Sequence, residues 1–226
     1  MGVARYDLLA AVIAYPGPSF EADIERAIAF CEGEYSAATR ALREFEQLVP
    51  KGDLIAQQEL HTRTFDVQPI TSLDIGYTLF GEDYKRGALL ANLSAEHARA
   101  KNDCGSELGD HLTNVLRLLP KLSDAAFREE FVRVLVGPAL REMVREFEPA
   151  RLAKKEELYK KHHKTIISFA DGDQRTAYRH VLQAILLVLQ ADFGLKTSLP
   201  IEQESKFVAG MGSEMAIESS GPCAVK

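Results

Sequence analysis

The chain of 226 residues has few cysteines, no long apolar run and no surplus of basic charge. Cys31, Cys104 and Cys223 are widely spaced and odd in number, and no Cys-x-x-Cys pair occurs. A thiolate zinc site and a dithiol redox motif therefore lack support, and the pattern suits a reducing cytosol. Acidic residues outnumber basic ones, 33 to 27, for a net charge of −6. Nucleic-acid binders carry the opposite balance, so duplex and RNA binding are disfavoured. The longest apolar stretch, Val181 to Leu195, is interrupted by Gln183, Gln190 and Asp192 and is too short to span a bilayer. Leu8 to Tyr15 imitates a signal sequence weakly, but Asp7 precedes it, Pro16-Gly17-Pro18 follows and no twin arginine occurs. The last four residues, Cys223 to Lys226, resemble a prenylation box with an unfavourable final lysine. These features read as a cytoplasmic protein without membrane insertion.

What the sequence does contain is helical periodicity. Hydrophobic residues make up 46% of the chain and charged residues 27%, a globular mix. A chain of this length buries about 70% of its unfolded surface, enough for a core without staples. Leu8, Leu9, Val12 and Ile13 mark a first helix that Pro16 ends. Ser19 is expected to cap a second, whose stripe is Phe20, Ile24, Ala27, Ile28 and Cys31. Leu42, Phe45, Leu48 and Val49 mark a third, and Asp53 to about Phe65 a fourth.

Gln68 to Gly81 carries Pro69, Gly76 and Gly81 among apolar residues, which predicts a loop or broken helix against the core. Helix resumes from Asp83 to about Lys101, and Asn102 to Gly105 is a turn signal. Leu108, Leu112, Val115, Leu116 and Leu119 form the next stripe. Asp124 caps another helix, with Phe127, Phe131, Val134 and Leu135 inward, until Gly137-Pro138. One helix then runs to Phe147, one from Pro149 to Phe169, and a last from Gln174 to Phe193. No sustained alternation marks a strand, and no repeat recurs at a fixed period. The expected fold is all-α: one compact domain over residues 1–200, with about nine or ten helices, followed by a polar tail over 201–226.

Convergent chemistry is sparse. Glu107 and His111 would share a face of a continuous helix and could hold a metal together, but the paired Glu-x-x-His motifs of a di-iron bundle are absent. His162 and His163 read as the border of a buried face among lysines. No dinucleotide fingerprint, phosphate loop or nucleophile elbow occurs, and no residue set reads as an active site. After Gly109, Asp110 is a natural N-cap and His111 the first helical residue, a structural role for both.

Two stretches resemble a known family. The first is Glu59-Leu60-His61-Thr62-Arg63-Thr64-Phe65-Asp66, continuing through Thr71 to Gly81-Glu82 and Lys85-Arg86-Gly87; the second is Glu107-Leu108-Gly109-Asp110-His111-Leu112. Together they resemble the nitrate reductase delta-subunit (NarJ-type) branch of the molybdoenzyme maturation chaperones, relatives of TorD and DmsD. Gly109 stands where that family's motif usually has proline. The resemblance is concentrated in residues 59–120, with compatible helix spacing over about 1–195.

It implies an all-helical protein without catalysis or a cofactor of its own. Its partner would be the catalytic subunit of a molybdenum oxidoreductase, destined to carry molybdenum bis-guanine dinucleotide, held by its N-terminal segment until the cofactor is inserted. Carried residue by residue, the client-peptide site comprises Asp110, His111, Tyr77 and Phe80, with Phe65, Asp66 and Glu82 beside them. An amphipathic client helix would lay its apolar face on Tyr77, Leu79 and Phe80. The acidic residues Asp66, Glu82, Asp83 and Asp110 would attract its basic ones. Ordinary core packing is an equal account of Tyr77 and Phe80. Two other readings stay open: a small helical metalloprotein or enzyme using Glu107, His111, His162 or His163, and a permanent accessory subunit of the redox complex.

Overall fold

The most apolar helix of the chain becomes the centre of the molecule. In a computed structural model, which describes residues 5–162 and 174–195, this helix is α11 (Ala177–Phe193). It packs against α3 (Ser36–Leu48), α9 (Gly137–Arg145) and α1 (Arg5–Ile13). Its predicted stripe of Tyr178, Val181, Leu182, Ile185, Leu186 and Leu189 is wholly buried. Around it stand α2 (Phe20–Cys31), α4 (Leu54–Phe65), α5 (Ile75–Phe80), α6 (Tyr84–Ala100), α7 (Leu112–Leu118), α8 (Ala125–Phe131) and α10 (Pro149–His162). The fold is all-α, and no strand forms among the described residues. None of these helices is long and apolar enough to cross a membrane.

Most of the buried apolar side chains form one core cluster. Phe20, Ile24, Ala27, Ile28 and Cys31 of α2 are buried as their spacing predicts. Asp53 caps α4 by accepting from the Ala56 amide, and Asp124 caps α8 from Phe127, each at 3.0 Å.

Three local expectations are corrected. Ser19 sits at the N-cap of α2 without accepting a backbone hydrogen bond; its hydroxyl donates instead to Asp23 at 2.8 Å. Gly137-Pro138 does not end a helix. The chain continues through Val132–Val136 as a π-helical turn, in which the Gly137 amide reaches back to the Val132 carbonyl. A widened turn gives the Pro138 ring room where an α turn would press it on the carbonyl four residues earlier. The extra residue per turn also rotates the apolar stripe, so Val134 is exposed; Phe127, which precedes the turn, is also exposed where it stacks on Phe131. Leu108 lies outside α7 and is exposed, because that helix starts only at Leu112. Residues 163–169 of the last predicted turns of α10, the His162 side chain, His163 and the 201–226 tail fall outside the described residues.

The punctuated segment after α4 is held by α10. Lys155, 1% exposed, ion-pairs with Glu146 at 2.5 Å and donates to the Ile70 carbonyl. Tyr159 donates to the Pro69 carbonyl at 3.0 Å. Arg151 closes the network by reaching Glu146 at 2.6 Å and Glu142 at 2.9 Å. Six residues of helix, α5, follow this clamp and lead into the site.

Candidate functional site: an acidic cleft and an arginine-centred junction

One antiparallel bridge, between Asp74 and His111, joins the two sequence motifs. The Ile75 amide donates to the Asp110 carbonyl at 3.0 Å, and the Leu112 amide to the Leu73 carbonyl at 2.8 Å. His111 is therefore extended, with φ −63° and ψ 133°, and occupies the N-cap position expected of Asp110. That expectation is overturned: Asp110 lies one residue outside the cap of α7 and makes no capping contact to that helix, its carboxylate accepting instead from Gly76 in the first turn of α5. Successive side chains of extended backbone point to opposite sides. Asp110 and His111 accordingly face different environments.

Asp110 points inward and is fully buried. Its Oδ2 accepts from the Gly76 amide at 3.2 Å and from Arg86 Nε at 3.4 Å, while Oδ1 finds no hydrogen-bond partner among the described residues. Burial above all, with the Asp74 charge second, raises its pKa against the pull of Arg86 and the Gly76 amide. A β-carbon on Gly76 would stand 2.7 Å from that Oδ2, so only glycine lets α5 approach. Asp110 is thus partnered and enclosed, and it does not supply the free negative charge expected of it.

Arg86 of α6 organises this junction. Its Nη2 donates to Asp74 at 2.8 Å, its Nη1 lies 3.7 Å from Glu82, and its guanidinium stands 5.1 Å from the centre of the Tyr77 ring. Three predicted site residues, Asp110, Tyr77 and Glu82, therefore surround an arginine that belongs to the same motif but was not among the site residues predicted. Tyr77 is buried, and Phe80 is half-buried.

The other predicted residues meet elsewhere. Phe65, Asp66 and His111 line a cleft of about 500 Å³ together with Tyr15, His61, Asp74, Glu107 and Arg117. Tyr77, Phe80, Glu82 and Asp110 are not among its lining residues. Asp74 belongs to both places, walling the cleft while holding Arg86. Glu107 and His111 do converge, although across a loop and not along the continuous helix their spacing suggested. Among the described residues no group of three or more His, Cys, Asp or Glu is placed to hold a metal ion.

The electrostatics of the cleft are those of crowded anions. Burial and then Glu107 push the Asp66 carboxyl above its usual range. Asp74 rises through burial, Glu107 and Asp66 against the opposing charge of Arg86. His111, whose Nδ1 lies 2.7 Å from the Thr113 hydroxyl, is lowered by burial despite the nearby Glu107 and Asp110. His61 is lowered to about 4 by burial and is neutral at physiological pH. Its ring is packed against Phe65 at 4.8 Å and edge-on to Tyr15 and Tyr178, each at 5.4 Å. Such a site accepts hydrogen bonds and positive charge. No protein-family model, curated protein or solved structure matches the chain.

Proposed function

We propose that this protein is an assembly chaperone that binds the catalytic subunit of a molybdenum oxidoreductase of the nitrate reductase and DMSO reductase type. It holds the subunit's N-terminal segment, keeps the apo-subunit competent for cofactor insertion and correct targeting, and catalyses nothing itself. The observation that carries this reading is the convergence of the resembling stretches on one cleft. Phe65 and Asp66, then Ser72 to Asp74, then Glu107 and His111 are far apart in sequence and wall the same space. An acidic, half-open cleft suits a segment bearing basic residues. Ordering such a segment costs on the order of 2–5 kcal/mol, which keeps the complex reversible.

Calorimetric titration with the N-terminal peptide of the molybdoenzyme catalytic subunit encoded beside this gene, against a scrambled control, tests the reading. Binding of the true peptide alone, with a negative heat-capacity change, is the expected result. Failure to bind that peptide, together with failure to retain the whole apo-subunit in a pull-down, overturns it.

A further inference from the structure

Beside the cleft, on the outer side of α4, Tyr15, Ile55 and Val67 are 57%, 77% and 44% exposed. With Gln58, Glu59, Thr62 and Arg63 they line a groove of about 430 Å³. Arg63 is already paired with Glu59 along the helix, so the groove presents little free charge of its own. Tyr15 is a wall of both the groove and the cleft, so the two adjoin at its ring.

Within the cleft the hydrogen-bond accounting is incomplete. His61 Nε2 lies 3.2 Å from the Ile13 carbonyl, an acceptor, so that nitrogen carries the proton. Nδ1 is then a bare lone pair, on a side chain 7% exposed, with no hydrogen-bond partner among the described residues. The nearest polar group is Asp66 Oδ2 at 4.0 Å, a second acceptor. Two acceptors face each other across a gap with no donor between them; the Asp66 side chain is 59% exposed, so the demand for a donor falls on the buried Nδ1. Glu107 adds negative charge, the Asp74 carboxylate is taken up by Arg86, and Arg117 is a cation on the cleft wall.

We propose that cleft and groove form one two-part docking surface for a partner segment in which a cationic side chain is flanked by bulky apolar residues. The cation, arginine or lysine, donates to His61 Nδ1 and Asp66; its apolar neighbours lie against Tyr15, Ile55 and Val67. Charge complementarity selects this occupant: with Asp74 paired to Arg86, the Asp66 and Glu107 carboxylates and the orphan His61 acceptor still outweigh Arg117 on the cleft wall. The inference deepens the chaperone reading by naming what the cleft recognises and by adding α4 to the client site.

The probe is acetyl-Leu-Arg-Leu-Leu-amide, titrated into the full chain and followed by calorimetry and by nuclear magnetic resonance of imidazole nitrogens and isoleucine methyls. Its citrulline analogue keeps the shape and removes the charge, and an analogue with glycine for leucine removes the apolar flanks. The arginine probe is expected to move the His61 and Ile55 signals together. Each analogue should bind about tenfold more weakly, as should the surface variants Ile55→Asp and Asp66→Asn at unchanged helix content. Equal binding of the citrulline analogue, or unchanged binding to both variants, overturns the inference. So does self-association that Ile55→Asp abolishes while probe binding stays intact. Retention of the apo-subunit equally by wild type and both variants would sink this inference and leave the chaperone reading standing. Probe binding as expected, without retention of the subunit, would do the reverse.

Discussion

Asp110 and His111 are neighbours in sequence with separate duties, and substitutions should separate them. Asp110→Ala removes a buried carboxylate from the Gly76 amide and Arg86, and should cost about 2–3 kcal/mol of stability. His111→Ala opens the cleft wall and should cost less than about 1 kcal/mol, while weakening client binding. Denaturant unfolding of both variants beside the peptide titration checks the pair of outcomes. Gly76→Ala should mimic Asp110→Ala, because the added methyl displaces the same carboxylate. The motif residues stood out in the sequence through the order and spacing of the resembling stretches. Their division of labour did not, since it depends on the extended backbone that the Asp74–His111 bridge imposes. Tyr178 makes the opposite case. Its hydroxyl is buried without a hydrogen-bond partner among the described residues while its ring packs on Phe45, His61 and Phe65. Tyr178→Phe is therefore expected to leave the thermal midpoint unchanged or to raise it, because it deletes an unpaid desolvation and keeps the packing.

At the scale of elements, α10 acts through the loop it clamps. Lys155 is lowered to about 8, chiefly by burial and against the pull of Glu146. Lys155→Ala leaves Glu146 with one fewer cation and frees the Ile70 carbonyl, which should cost about 3 kcal/mol or more. Amide exchange at Ile70, whose N–H donates to the Thr64 carbonyl, should quicken in that variant. Lys155→Met, which keeps the volume, should lose less. Helix existence was readable from period and punctuation, as the buried stripes of α2 and α11 illustrate. The π-helical turn before Pro138 was not readable, because Gly-Pro is ordinarily a stop and only packing selects the wider turn.

For the whole molecule, imidazoles in buried and half-buried positions shape the response to acid. His61, His111 and His180 all have pKa values lowered by burial. The unfolded chain then binds more protons than the folded one, so stability falls as pH drops through the window between the unfolded and folded values. For His61 that window runs from 6.5 down to about 4, worth about 3 kcal/mol at its acid end. The raised carboxyls of Asp66, Asp74 and Asp110 act in the opposite sense, gaining protons in the folded state as pH falls. The His61 share is isolated by comparing thermal midpoints of wild type and His61→Gln across that window. The variant, which keeps a donor for the Ile13 carbonyl, should show the shallower fall.

Local periodicity by itself determined that this chain is helical, where most helices begin and end, and which residues enter the core. Those properties depend on neighbours three and four positions away, which a sequence displays directly. The family resemblance, and not periodicity, marked Phe65, Asp66 and His111, and it grouped them with Asp110, Tyr77, Phe80 and Glu82 as a single site. Only the tertiary structure separated an acidic cleft from an arginine-centred junction and brought Tyr15, His61 and Asp74 to the former. Contacts such as Asp74 with His111 close over dozens of residues, and no spacing rule reaches across such a loop. Which way a side chain faces is likewise decided by the partner its backbone pairs with, and that partner is supplied by the fold.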